Sequence, residues 1–343
     1  RRLGGNSAKA SSGINGCCPP HSRAERNAAD TVDAFAADTA KSAKRDAGGL
    51  IALLARSSEG AIEWLRDRTK VDLSKLAQLG GHSYARTHRP ANGMIGAELV
   101  YALQREVRKF EGSGRLSLLT STRVASLLHE GGAVAGVAYV DAKDGTTREL
   151  RAPATVLATG GFANDRTNTS LLAKHRPDLL RFATTNGEWA TGDGMKMAMA
   201  IGAGTVDMDR VQVHPTGFVD AADVGASTKV LCGEMMRGVG GVLLLPDGRR
   251  FVNELAPRDV VVAAELESGA DEFFIVLNAA AAAEAGKHTE LYVRKGLLNK
   301  VEGAAGLATY MIDAQAASRR GGAPPPTDAA LASALGATFD AYA

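Results

Sequence analysis

A block of strand periodicity set between helical stretches limits the fold more than any other feature. Residues 123–130, 133–141 and 147–154 each read as strands. The alternation of apolar and polar side chains in 133–141, with a Gly145-Thr146 turn beyond it, marks an antiparallel meander. Thr155–Ala158 reads differently: Val156-Leu157-Ala158 is a short apolar run ended by Gly160-Gly161, the pattern of a buried parallel strand. Ser117–Thr120 is a further expected strand. Helices are expected near 25–44, 48–66 and 95–109 before this block, and near 191–202, 259–267, 278–286 and 328–342 after it. Residues 205–252 read as β-rich, closing in a hairpin of Gly241–Leu245 and Arg249–Val252 about Pro246-Asp247-Gly248, with one more strand at 273–277. A meander inserted into such a pattern argues for an α/β nucleotide-binding domain carrying a separate cap.

The chain has 343 residues, 45% of them hydrophobic, enough to bury a substantial core in two domains. Its formal charge of +2 is too balanced to argue for nucleic acid or a membrane surface. Cys17, Cys18 and Cys232 suit reduced intracellular thiols better than a disulfide framework, and they cannot supply a four-cysteine metal site. No apolar run is long enough to span a bilayer, and no metal site is expected.

The chemistry-bearing residues gather late in the chain. His214 lies in His-Pro-Thr-Gly, Glu234 and Arg237 in Glu-Met-Met-Arg-Gly, and Arg258 in Phe-Val-Asn-Glu-Leu-Ala-Pro-Arg-Asp. An imidazole, a carboxylate and two guanidinium groups among turns and apolar strands are the set needed to grip a dicarboxylate and pass it a proton. Glu234 and Arg237, at i and i+3, face one side of a turn. Read alone, Arg258 is as well explained by a surface ion pair with Asp259 or Glu254, and His214 by a structural role. Two other features point to a cofactor. Gly4-Gly5-Asn6-Ser7 with Ser12-Gly13-Ile14, and Ala158-Thr159-Gly160-Gly161-Phe162, are bare-backbone turns that would let N–H groups approach a diphosphate or a ribityl chain. Each is also an ordinary turn if taken singly. His82, Arg86, His88 and Arg89 crowd a polar stretch over 78–90, read as lining of a cofactor cleft or as a solvated loop.

Taken together and in order, the GGNS, ATGGF, ATGDG, HPTG, ExxRG and RFVNE-xxx-RD motifs resemble the soluble fumarate reductase flavoproteins, relatives of the flavoprotein subunit of succinate dehydrogenase. The flavocytochrome-type and trypanosomatid enzymes look closest. The resemblance implies an α/β fold: an FAD-binding Rossmann-like domain with an inserted β meander over residues 1–208, and an α+β capping domain over 209–343. It implies that FAD is held by Gly4, Gly5, Asn6, Ser7, Ser12, Gly13, Ile14, Val124, Ala158, Thr159, Gly160, Gly161, Asn186, Thr191, Gly192 and Asp193. Val124 would meet the adenine. Relatives that bind flavin covalently carry His where this chain has Asn6, so noncovalent FAD is implied.

On the same resemblance Arg258 is the proton donor, Glu234 and Arg237 its relay, and His214 a ligand of a substrate carboxylate. Fumarate and succinate are the implied substrate and product. The electron donor, whether NADH-linked, a reduced flavin or a haem domain, is left open. Some positions depart from the pattern. Gly233 stands where flavocytochrome-type enzymes place Thr, Leu79 replaces a Met, and no GxGxxG is present. In the family that motif lies about 30 residues upstream, one βαβ unit, so a chain lacking that unit and truncated at both ends is expected. A ketosteroid dehydrogenase or aspartate oxidase relative, or an inactive fragment, are the alternatives.

Overall fold

The computed structural model describes residues 3–17, 29–45, 49–91, 93–318 and 327–342. Arg1-Arg2, Cys18 and Pro324-Pro325-Pro326 lie outside the described residues. The chain divides into two compact units that interleave in sequence. The smaller comprises Arg1–Asn6 and Val107–Val211, the larger Ser7–Glu106 and Gln212–Ala343.

The larger unit opens with β1 (Ile14–Asn15), α1 (Val32–Ala43), α2 (Leu50–Thr69), β2 (Lys75–Ala77), β3 (Thr87–Arg89) and α3 (Ile95–Arg108). Thr31 caps α1 by accepting the Ala34 N–H at 3.0 Å, and Lys44 ends it in the left-handed region at φ 53°. The three strands form an antiparallel sheet in which β3 is central. Its residue His88 faces Ile14 on one side and Leu76 on the other. Ile62, Val71, Leu73, Ile95 and Ala102 pack as one core, and Cys17, Phe35 and Ala55 as a second.

Within the polar stretch 78–90, residues 86–90 are buried and so are not a solvated loop, whereas 78–85 have irregular backbone with Gln78 and Ser83 exposed. Arg86, His88 and Arg89 are all buried. Arg86 bonds Asp30 at 2.6 Å and Asp38 at 2.6 Å and lies over the Phe35 ring. The two ring nitrogens of His88 sit 3.2 and 3.1 Å from the carbonyls of Leu73 and Gly16. Polar side chains reach the interior here because each finds a dedicated partner.

In the smaller unit β4 (Thr122–Glu130), β5 (Ala133–Asp141) and β6 (Thr147–Arg151) form the expected antiparallel meander in sequential order. Two register shifts, at Val124/Ser126 and Leu128/His129, bend β4 against β5. Then follow α4 (Leu171–His175) and α5 (Asp193–Ala200). The expected strands at 117–120 and 155–158 are absent: these residues have irregular backbone, Val156 is 88% exposed and Leu157 41%. A parallel strand is completed by its neighbours, and no described residue pairs with this segment.

The larger unit resumes with β7 (Gly217–Phe218), β8 (Val230–Leu231), α6 (Met235–Gly238), β9 (Val242–Leu244), α7 (Arg258–Glu267) and β10 (Phe274–Val276). Four helices complete it: α8 (Ala279–Ala285), α9 (Lys287–Arg294), α10 (Gly303–Ser318) and α11 (Asp328–Tyr342). The stretch 205–252 carries only short strands. The turn at Pro246–Gly248 forms, with Leu245 N–H on the Arg249 carbonyl at 2.9 Å, but past an isolated Leu244–Arg250 bridge β9 pairs with β10 instead. β9 is the apolar member, and it is fully buried because α10 and α11 cover it through Leu307, Met311, Leu331 and Leu335. A neighbouring core joins Phe218, Cys232, Met235, Met236 and Tyr292 beside α6. Among the described residues no helix is long and apolar enough to cross a membrane.

Candidate active site

α6 and α7 carry the charged cluster of the larger unit. Pro257 stands before the first residue of α7 and fixes its entry, which places Arg258 at the helix N-terminus with Asp259 behind it. The Arg258 side chain turns onto Glu234. Its Nε donates to Glu234 Oε2 at 2.8 Å and its Nη2 donates to the same oxygen. Its Nη1 donates to Gln212 Oε1 at 2.7 Å. The other carboxylate oxygen, Oε1, accepts the Gly80 N–H at 3.1 Å. Gly80 is required here by close approach: a Cβ would lie 2.9 Å from the Ala256 carbonyl oxygen and 3.1 Å from Glu234 Oε1.

The electrostatics follow from burial. Glu234 is 6% exposed. Burial opposes its charge, but the Arg258 guanidinium, supported by Arg237, outweighs this and holds the carboxyl below its ordinary range. Arg237 is 1% exposed, and burial lowers its pKa from the usual arginine value. It makes no direct ion pair with Glu234. Its Nη1 donates to the Glu254 carbonyl at 2.7 Å, while Glu254 itself bonds the Leu243 N–H at 2.8 Å and the Arg250 guanidinium. His214 is pushed down to about 4, first by burial and then by Arg258 and Arg237, so it is neutral at physiological pH. Its Nδ1 is engaged by the Thr216 backbone, 3.0 Å from the carbonyl and 3.2 Å from the N–H.

The four residues expected to do chemistry thus share one neighbourhood, an anion between two guanidiniums with a neutral imidazole nearby. Gln212, Gly80 and Glu254 complete it. Sequence reading did not assign them, because a glutamine side chain, a backbone N–H and a backbone carbonyl carry no motif of their own. The departure at Gly233 also has a local cause: a Cβ there would lie 2.5 Å from Ser11 Oγ.

The expected cofactor residues fall into both units. Gly4, Gly5, Asn6, Val124, Ala158, Thr159, Gly160, Gly161, Asn186, Thr191, Gly192 and Asp193 belong to the smaller, and Ser7, Ser12, Gly13 and Ile14 to the larger. In the smaller unit Asn6 ties two turns together. Its Nδ2 donates to Asn186 Oδ1 at 2.9 Å and its Oδ1 accepts the Gly187 N–H at 3.0 Å. The Gly192 N–H bonds the Gly161 carbonyl at 3.1 Å, which sets the 158–161 turn at the start of α5. In the larger unit Ser12 Oγ accepts the Met235 N–H at 3.2 Å. Gly13, at φ 145°, has no room for a Cβ beside Thr87 and the His88 carbonyl, so its need for glycine is met by sheet packing.

Residues 1–332 match the FAD binding domain family. The chain belongs to that family. It is 41% identical over 308 residues to a fumarate reductase of Schizosaccharomyces pombe, covering 88% of this chain and 59% of the relative. It is 43% identical over 267 residues to fumarate reductase 1 of Saccharomyces cerevisiae, covering 76% of this chain and 56% of the relative. The chain therefore spans under two thirds of the length of these relatives. Among solved structures, the open conformation of a flavocytochrome c3 fumarate reductase aligns over 98% of this chain and 55% of its own, with a TM-score of 0.68 at 28% identity.

FAD is the cofactor of this family, and the smaller unit offers backbone suited to it. Ala158, Thr159, Gly160 and Gly161 are exposed, and a Cβ at either glycine would meet nothing within 4 Å. α5 begins at Asp193 after Gly192, an N-cap with no side chain to bond the first N–H groups of the helix.

Proposed function

We propose that this protein reduces fumarate to succinate with noncovalently bound FAD, using residues 1–208 for the flavin and 209–343 as the cap over the substrate. The observation that carries the reading is the Arg258–Glu234–Gln212 arrangement: a guanidinium held on a buried carboxylate, with one N–H resting on an exposed amide that a substrate can displace. The identities of 41% and 43% to two yeast fumarate reductases support fumarate as the substrate.

When bound, FAD supplies a hydride to one alkene carbon. The chain's own residues handle the proton and the carboxylates. Arg258 gives an N–H proton to the other alkene carbon. A guanidinium, with a reference pKa above about 12, serves as an acid only if its proton is replaced at once. Glu234, in contact with Arg258, returns it, and Arg237 recharges Glu234. His214 remains neutral beside the two arginines and offers Nε2 to a substrate carboxylate. Noncovalent attachment rests on Asn6. An amide has no nucleophilic ring nitrogen, and both ends of this one are already bonded.

The test is turnover of fumarate by the flavin-loaded protein with a reduced dye as electron donor, alongside Arg258→Ala. The variant is expected to retain flavin and lose fumarate reduction. Substantial turnover by that variant, or activity on a steroid or on aspartate instead of fumarate, would sink the assignment.

A further inference from the structure

The face of α7 that presents Arg258 continues inward. Residues 258, 261 and 265 lie on one side of the helix by its 3.6-residue period. Val261 is 0% exposed and Glu265 8%, whereas Val260 and Leu266, off this face, are 44% and 50% exposed. A glutamate on the buried face of a helix needs a partner, yet its Oε1 is buried with none among the described residues. Arg237 shows the matching deficit: with Nη1 on the Glu254 carbonyl, its Nε and Nη2 are also buried and unpartnered. Arg237 is the charged group that acts on Glu265, and no direct ion pair joins them. Arg237 in turn feels Glu234, Arg258 and Cys232.

We infer that Glu265 supplies protons to Arg237, as the inner end of the set that begins at Arg258. The inference rests on the reading of Arg258 as proton donor. Each turnover removes one proton from Arg258, and the loss passes through Glu234 to Arg237. Because no direct bond joins the pair, the proton crosses through a water between them. The Glu265 O–H bond breaks as it protonates the water, the water's own proton forms the N–H bond on Arg237, and the resulting carboxylate regains a proton from solvent. No electrons move in this step. Burial supports it by pushing the Glu265 carboxyl up to about 8, so that it holds a proton at neutral pH, beside a guanidinium whose own pKa burial lowers. Glu265 touches no reacting atom and acts through Arg237, as a positioning and proton-supplying residue.

The experiment pairs infrared difference spectroscopy with kinetics on the flavin-loaded protein, its Glu265→Gln and Glu265→Asp variants, and Arg237→Gln. A protonated-carboxyl band is expected at neutral pH that fades as pH rises through about 8, disappears in Glu265→Gln and shifts in Glu265→Asp. In Arg237→Gln its titration is expected to move to higher pH, because Arg237 lowers the Glu265 value. Glu265→Gln is expected to lower kcat roughly tenfold with KM unchanged and to lose the alkaline limb of the pH profile, with partial rescue by Asp. Absence of the band, its indifference to Arg237→Gln, or parent-like kcat and pH profile in Glu265→Gln would each overturn the inference. If the parent protein does not reduce fumarate, the functional reading fails. The infrared titration still decides whether Glu265 is a protonated acid coupled to Arg237.

Discussion

Replacing Glu234 with Gln removes a negative charge from a position 6% exposed while keeping the side chain's length. Two guanidinium N–H groups of Arg258 point at Oε2, and the Gly80 N–H bonds Oε1 at 3.1 Å, a contact that the Gln amide oxygen can still accept. A hydrogen bond to a charged group contributes about 1.5–3 kcal/mol, and breaking a fully buried pair costs about 3–5 kcal/mol. The Arg258 side chain, however, is 35% exposed, so water takes over part of its solvation once Glu234 is neutral. The coupling between the two residues should then be about 2 kcal/mol, above the ~0.2–1 kcal/mol of a surface pair. A double-mutant cycle measures it: urea unfolding of the parent, Glu234→Gln, Arg258→Gln and the double variant, with m held constant. The coupling has a pH signature as well. The folded Glu234 carboxyl is held below its ordinary value, so its contribution is present above the unfolded pKa, near about 4.3, and is lost as pH falls through the folded value. A coupling below about 0.5 kcal/mol at neutral pH, at the surface-pair level, would refute the argument that burial makes this pair strong.

His214 has a folded pKa of about 4 against 6.5 unfolded, so the unfolded chain takes up the proton first as pH falls. Stability due to this residue is complete above pH 6.5 and is lost toward pH 4, by about 3 kcal/mol at most, and His214→Gln should flatten that slope in pH-dependent unfolding. Gly80→Ala drives a Cβ against the Ala256 carbonyl and Glu234, and should cost about 1–3 kcal/mol in urea unfolding. The same change at Gly60, exposed within α2 with nothing within 4 Å of a new Cβ, should stabilise by about 0.5–1 kcal/mol. Asn6→Ala removes the bonds to Asn186 and Gly187; it should cost about 1–2 kcal/mol and lower the flavin retained after gel filtration.

What the amino-acid order determined is what neighbours in the chain settle between themselves. The meander over β4–β6 follows from period-two alternation and turn residues. α7 begins at Arg258 because Pro257 precedes it and Asp259 favours a helix start, and α11, Asp328–Tyr342, forms over the expected 328–342 from a run rich in Ala and Leu, strong helix formers. Glu234 and Arg258, 24 residues apart, were legible as a pair only through their motifs, and the structure puts them in contact.

Partners that the chain supplies from elsewhere were decided by the tertiary structure alone. The run at 155–158 has strand composition but no pairing neighbour among the described residues, so it lies exposed. The polar sequence around Arg86 and His88 becomes a buried central strand because Asp30, Asp38 and two backbone carbonyls receive its donors. Arg237, spaced to face Glu234, spends its direct bond on the Glu254 carbonyl. Glu265 belongs to no sequence motif. It becomes a buried acid only because the face of α7 that carries Arg258 also points inward, and burial, which no local pattern encodes, is what sets its charge.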